Sequence, residues 1–239
     1  MLLRQLFDAE TSAFTYLLAD RATREAALID PVLEQVERDV RLLQELGLKL
    51  TVVLETHLHA DHVTSAGALR ERTGATVVAS GLGAPCVDRK VGHGDRVRVG
   101  RLEVTVLETP GHTDDSLSFL CEGKLFTGDA LLIRACGRTD FQNGDAGQLY
   151  DTIIGRLFTL PDNTEVYPGH DYAGHTVSTI GEEKRHNPRL AGKSRDAFIT
   201  FMNNRQLPPP KKLDVAVPAN RACGRSPVLP LFLDASAPR

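Results

Sequence analysis

Apolar and polar positions fall in short blocks along this chain, and the blocks switch between a two-residue and a near-four-residue period. Phe14-Thr15-Tyr16-Leu17-Leu18-Ala19 and Ala26-Ala27-Leu28-Ile29-Asp30 read as two strands joined by a turn over Asp20 to Arg24, and Pro31 ends the second. Val32, Val36, Val40, Leu43 and Leu46 then recur at helical spacing with charges between them. They predict a helix over 32–46 with one buried face, closed by Gly47. Leu50-Thr51-Val52-Val53-Leu54 is an apolar run of strand length. A helix over Val63 to Arg72, a short strand over Ala75 to Ala79 and a loop over 80–92 follow. Val97 to Val99 and Leu102 to Leu107 suit a hairpin around Gly100-Arg101. Ser116 to Leu120 and Lys124 to Thr127 are further strands, and 131–145 is irregular.

The second half continues with a helix over Ala146 to Phe158 that turns Leu149, Ile153, Ile154 and Leu157 inward. Glu165-Val166-Tyr167 is a strand, and Thr176 to Arg185 and Ser194 to Asn203 are helices. Prolines recur from Pro208 to Arg239, which predicts an extended tail, packed on the body or partly disordered. Neither a repeat nor a linker divides the 239 residues. The expectation is a single domain over 1–239 with a short Pro-rich tail from about 208 to 239, built as sheets covered by helices.

Composition narrows the function. With 41% hydrophobic and 25% charged residues, the chain supports an ordinary soluble core. A net charge of -3, sparse aromatics and no Trp argue against a nucleic-acid partner. No stretch approaches a membrane span. The start, Met1-Leu2-Leu3-Arg4-Gln5-Leu6-Phe7-Asp8, lacks a basic segment followed by an apolar one, so no membrane partner and a reducing cytoplasm are expected. Cys86, Cys121, Cys136 and Cys223 lie far apart with no C-x-x-C pair, which excludes a zinc ribbon and argues against a disulfide framework. Cys136 and Cys223 read as buried structural thiols, near a pocket at most.

The candidate chemistry begins where the apolar run at 50–54 ends, in Thr56-His57-Leu58-His59-Ala60-Asp61-His62. On an extended continuation of that strand, residues two apart point the same way, so His57 and His59 should aim at one spot. Asp61 and His62, where the chain turns toward the next helix, should aim at a neighbouring one. Imidazole and carboxylate suit zinc, iron and manganese. A capping Asp61 among surface histidines is the bland reading. Three of the chain's eight His packed into this spacing argue against it. Three later strand ends also stop in a potential ligand beside glycine: Pro110-Gly111-His112, Gly128-Asp129 and Pro168-Gly169-His170. Alone, Asp129 would be a turn residue and His170 a surface histidine; their conjunction carries the weight.

His-x-His-x-Asp-His followed by Thr-Pro-Gly-His-Thr, Thr-Gly-Asp and Pro-Gly-His resembles the metallo-β-lactamase superfamily over roughly residues 10–190. The resemblance implies an α/β fold, a four-layer αββα sandwich with its metal site at one edge of the two sheets. Glyoxalase II-type thioester hydrolases and persulfide dioxygenases are the two nearest groups. Leu131-Leu132-Ile133-Arg134 with Cys136-Gly137-Arg138-Thr139-Asp140-Phe141-Gln142 looks like the second group, which includes the mitochondrial ethylmalonic-encephalopathy protein. So do Tyr167 to Tyr172, Thr176 to Thr179, Asn187-Pro188-Arg189-Leu190 and Val217-Pro218-Ala219-Asn220. The chain after 190 is short and Pro-rich, unlike the longer helical C-terminal region of a glyoxalase II.

All seven ligand types of a two-metal hydrolase are present, so ligand count leaves two zinc ions and one iron both open. Resemblance to the dioxygenases implies a single Fe(II) on His57, His112 and Asp129. His59, Asp61, His62 and His170 would then orient those ligands through hydrogen bonds, or hold a second metal in the zinc alternative. The implied reaction takes glutathione persulfide, O₂ and water to sulfite and glutathione; the alternative is hydrolysis of an acylglutathione thioester. Arg138, Thr139, Tyr172 and Arg189 are expected to contact the anionic substrate. Arg138 and Arg189 have a structural alternative, as partners of Asp140 or of a helix end. A metal-dependent sensor would need an incomplete site, and every ligand type is here. A homodimer is left open.

Overall fold

The computed structural model describes residues 1–210 and 212–225. Two six-stranded sheets dominate it. The first holds β1 (Leu2–Asp8), β2 (Ala13–Ala19), β3 (Glu25–Ile29), β4 (Lys49–Leu54), β5 (Thr76–Ser80) and β6 (Arg89–Val91), side by side in chain order. The second holds β7 (Arg96–Val99), β8 (Leu102–Glu108), β9 (Leu117–Cys121), β10 (Lys124–Gly128), β11 (Glu165–Pro168) and β12 (Ser178–Thr179), also in chain order. Strands β3 to β6 pair in parallel, as do β10 and β11; the other neighbours are antiparallel.

Alternation along each strand decides the layers. Tyr16, Leu18, Ile29, Val52, Leu54 and Val78 face inward and meet Val104, Val106, Phe119 and Phe126 of the second sheet. The intervening Leu17, Leu28, Val53 and Val77 face outward and pack on Val36 and Leu43 of α1 (Val36–Glu45) and Leu69 of α2 (Ala66–Thr73). On the far side, Leu107, Leu125 and Val166 pack on α3 (Ala146–Thr152), α4 (Ile180–His186) and α5 (Arg195–Asn203), through Leu149, Ile180 and Phe198. Helix, sheet, sheet, helix is the four-layer α/β sandwich expected. A buried strand such as β2 therefore reads as a continuous apolar run, because both of its faces are covered.

Several expectations need correction. Residues 1–30 hold three strands, because β1 pairs with β2 along its whole length although its own pattern does not alternate. The helix expected over 32–46 begins as a 3₁₀ turn, Leu33–Gln35. The one expected from Val63 starts at Ala66, after a Thr64 N–H that bonds Asn220 rather than opening a helix. The helix over 146–158 changes after Thr152 into a single π turn, Ile153–Leu157. Within the loop expected over 80–92, Arg89–Val91 pair with β5 at the sheet edge.

The largest departures lie after Pro208. In place of an extended tail, Leu213–Asn220 form a helix, α6, with Pro218 inside it. Packing of Ala216 and Ala219 against Val63 offsets the hydrogen bond the proline removes. The part of the tail over 226–239 lies outside the described residues. Cys223, just past α6, is disulfide-bonded to Cys86 across 137 residues, so neither is the free thiol expected. Docking of α6 beside the β5–β6 loop brings the two together, and no sequence spacing reports that. Cys121 and Cys136 are buried free thiols.

Candidate metal centre

Strand β4 ends at Leu54, and the chain leaves the sheet before it reaches the histidines. The rings of His57 and His59 nevertheless lie together, with centroids 4.1 Å apart. His57 joins His112 and Asp129, with one ligand atom from each within 4.8 Å of the others. His59 instead groups with Asp61 and His62 on one side, and with Asp30 and Glu55 on the other. Each member of the first group comes from a different strand end: His57 after β4, His112 after β8, Asp129 after β10.

Hydrogen bonds fix which nitrogen of each ring is free. The Thr56 hydroxyl donates to Asp30 Oδ2 at 2.7 Å, and its oxygen lies 2.9 Å from His57 Nδ1. A hydroxyl has one proton, already given to Asp30, so His57 Nδ1 must be the donor and its Nε2 keeps a lone pair. His112 Nδ1 stands 2.7 Å from the carbonyl oxygen of Arg138, which only accepts, so His112 takes the same tautomer. Its Nε2 faces Asp129 Oδ2 at 3.7 Å. Burial, then the neighbouring His59 and His112, push the His57 imidazolium form well out of reach, which leaves a neutral ring.

His170 is held differently. Its Nδ1 lies 2.7 Å from Asp129 Oδ1 and its Nε2 2.8 Å from Asp61 Oδ2. Burial alone would favour the neutral ring, but the two carboxylates raise its pKa well above the ordinary histidine value. Burial would likewise raise Asp129 and Asp61. The surrounding histidines win, and both carboxylates sit well below the usual range. His62 gives Nδ1 to Asp61 at 2.8 Å and leaves Nε2 buried without a partner. His59 Nε2 lies 3.2 Å from Asp30 and 3.5 Å from Glu55.

Two glycines allow this crowding. Gly128 has φ +49°, and a Cβ there would lie 2.6 Å from Thr56 Oγ1. A Cβ on Gly137 would lie 2.2 Å from the Asp129 carbonyl oxygen and 2.8 Å from His112 Nδ1, so only glycine lets the 131–145 segment lie against the site.

A cavity of about 460 Å³ opens over His112, Asp129 and His170. Of the expected substrate contacts, Arg138, Tyr172 and Arg189 line it; Thr139 is half-buried and outside the lining. Arg138 is committed, clasping Asp140 through Nε and Nη2 at 2.6 and 2.7 Å and donating to Pro208 O at 2.8 Å. Arg189 donates to the Cys136 carbonyl at 2.5 Å, and among the described residues neither it nor Arg205 forms an ion pair. Arg205 was not anticipated. It faces the same cavity, and burial together with the charge of Arg189 lowers its pKa. Its distance in sequence from every motif left no signal. Among the described residues, no helix is long and apolar enough to cross a membrane.

Comparison with known proteins agrees with this geometry. The metallo-β-lactamase superfamily matches residues 9–85 and 83–170. The mitochondrial persulfide dioxygenase ETHE1 of Mus musculus is 50% identical over 227 residues, covering 94% of this chain and 89% of that protein. The crystal structure of ETHE1 from Myxococcus xanthus aligns with a TM-score of 0.93 at 65% identity, over 94% of this chain and 100% of that one. A hydroxyacylglutathione hydrolase of Rhizobium meliloti is 38% identical over 191 residues, 74% of this chain and 71% of that protein. The chain belongs to the metallo-β-lactamase superfamily and, within it, to the persulfide dioxygenase family.

Proposed function

We propose that this protein is an Fe(II)-dependent persulfide dioxygenase, converting glutathione persulfide, O₂ and water to sulfite and glutathione. One observation carries the reading. His57 and His112 each commit Nδ1 to an uncharged oxygen and keep an Nε2 lone pair beside Asp129. Two imidazoles and one carboxylate on a shared spot fit a divalent ion and leave positions for other ligands, the donor set of non-haem iron oxygenases. Of the other four candidates, His170 and Asp61 are hydrogen-bonded to each other, whereas His59 and His62 keep buried nitrogens without a hydrogen-bond partner; the reading of one metal per chain rests on the first group alone.

A ferrous ion held by His57, His112 and Asp129 would supply the redox chemistry between O₂ and the terminal sulfur. The protein's residues do the rest. Thr56 and the Arg138 carbonyl hold the two rings in the tautomer that offers Nε2. His170, clamped between Asp129 and Asp61, fixes the orientation of the Asp129 carboxylate and offsets its charge. Arg189 and Arg205 face the cavity without a carboxylate partner, and they suit the two carboxylates of glutathione. Tyr172, stacked on His170 with ring centroids 6.0 Å apart, walls the entrance.

The test is metal analysis of protein grown with iron available, paired with oxygen uptake on glutathione persulfide. We expect about one iron per chain and uptake that requires the persulfide. Two zinc ions and no oxygen consumption would overturn the reading. That outcome would favour a zinc acylglutathione hydrolase, which the close grouping of His59, Asp61 and His62 would serve; cleavage of S-lactoylglutathione by the zinc form would identify it.

A further inference from the structure

The end of α6 is sewn to the segment that carries the histidines. Asn220, 3% exposed, donates through Nδ2 to the carbonyl oxygens of His59 and His62 at 2.9 and 2.8 Å, and its Oδ1 accepts the Thr64 N–H at 2.8 Å. All of its polar capacity toward this segment is used, and among the described residues no other side chain bonds either carbonyl. Three residues on, the Cys223 carbonyl accepts the Gly67 N–H at 2.9 Å. Cys223 then ties this whole arrangement to Cys86, in the loop between β5 and β6. Cys223, Asn220, Glu55, His57 and His59 line one void of about 20 Å³, which leaves a shift at the sulfur a small space in which to reach the rings.

The two sulfurs differ in access. Cys86 is half-buried at the surface, whereas Cys223 is 2% exposed. We propose that the Cys86–Cys223 disulfide is an exchange site for low-molecular-weight thiols, and that its reduction loosens the metal centre through Asn220, a positioning residue. An incoming thiolate attacks Cys86 Sγ. The bond to Cys223 breaks, the electron pair leaves on Cys223 Sγ, and a mixed disulfide forms on Cys86. A second thiolate then attacks the external sulfur and releases Cys86. Two external thiols become one disulfide, and the protein gains two electrons and two protons. The reaction proposed above releases a thiol of this class, so the product itself can reach the site. The inference rests on that reading only in placing a metal at His57, His112 and Asp129.

The experiment uses the full chain, metal-loaded and prepared without reductant, before and after incubation with glutathione. Denatured, untreated protein should show two reactive thiols, Cys121 and Cys136, and reduced protein four. Under limited reduction, mass spectrometry should find glutathione on Cys86 and none on Cys223. Metal release to a chelator should speed up about tenfold on reduction, the scale of losing a group that orients metal ligands. Amide exchange at Thr64 and Gly67 should rise with it. Asn220→Ala should show the fast release with the disulfide intact, and Cys86→Ser should show it with no thiol added. Four thiols in untreated protein, an adduct on Cys223, or a release rate unmoved by reduction or by Asn220→Ala would each overturn the proposal. Protein that never retains a metal would instead count against the function proposed above; the thiol count, the adduct and the exchange of Thr64 and Gly67 would still decide the switch.

Discussion

Two histidine clusters lie side by side at this sheet edge, and they are built on opposite principles. In the first, His57 and His112 give their spare nitrogens to a hydroxyl and a carbonyl. With Nδ1 given to a neutral acceptor, each ring can turn Nε2 toward a cation. In the second, His170 lies between two carboxylates, His62 leans on Asp61, and His59 lies against Asp30 and Glu55. There carboxylates of the protein itself lie against the rings. The same residue types thus form a candidate ligand set in one place and a cluster of imidazole–carboxylate contacts in the other. The partner of the far nitrogen makes the difference.

The largest effect should come from breaking the first cluster. His112→Ala should abolish metal binding, and unchanged iron content by elemental analysis would remove that residue from the ligand set. Gly137→Ala comes next. Its methyl would overlap both the Asp129 carbonyl and the His112 ring. We expect loss of most bound metal and a destabilisation of about 2 kcal/mol in denaturant melts; wild-type values for both would show that the 131–145 segment is not packed as described.

Another buried carboxylate, away from the histidines, sharpens the contrast. Asp39 is 1% exposed, with only the Arg38 guanidinium at 2.8 Å for company and one carboxylate oxygen unpartnered. Burial outweighs that single cation and pushes its pKa up to about 6, from the usual 3.8. A carboxyl raised by folding favours the fold while protonated and weakens it once charged. Stability relative to Asp39→Asn should therefore fall as pH rises from about 4 to about 6, by up to roughly 3 kcal/mol, and be flat above. Parallel curves in urea melts across that range would show that Arg38 neutralises Asp39 as fully as the histidines neutralise Asp129.

Smaller effects test the cavity and the second cluster. Arg189→Ala should raise KM for the persulfide about tenfold with kcat little changed, because it removes binding shared by substrate and transition state. A fall in kcat alone would place Arg189 at the reacting atoms instead. The smallest change is expected at His62→Ala, which should leave the metal count per chain as it was. A count that drops from two to one would turn the second cluster into a ligand set.

Much of this was legible in the sequence because each candidate ligand follows a strand, and His112, Asp129 and His170 sit beside glycine. The apolar run 50–54 announced β4, and the turns at His112, Asp129 and His170 announced a convergent edge. His57 and His59 do lie together, with centroids 4.1 Å apart, but their separate partners were hidden, because the chain leaves the sheet after Leu54 and strand alternation no longer says what each ring meets. Helix α6 was hidden by its prolines, since its stability comes from packing on Val63 rather than from its own propensity. Arg205 and the Cys86–Cys223 bond join distant parts of the chain, and no local pattern encodes such a meeting.

The hydroxyl of Tyr16 donates to the Pro168 carbonyl at 2.6 Å, and the Phe14 N–H bonds Gly169 O at 2.8 Å, so β2 of one sheet is stitched to the His170 loop of the other. His57 belongs to one sheet, His112 and Asp129 to its neighbour. An ion shared by all three would work as a rivet through the seam between the layers. Because a rivet that binds only the closed form adds its own binding free energy to folding, the persistence of this chain in a cell should track how much metal the cell can spare.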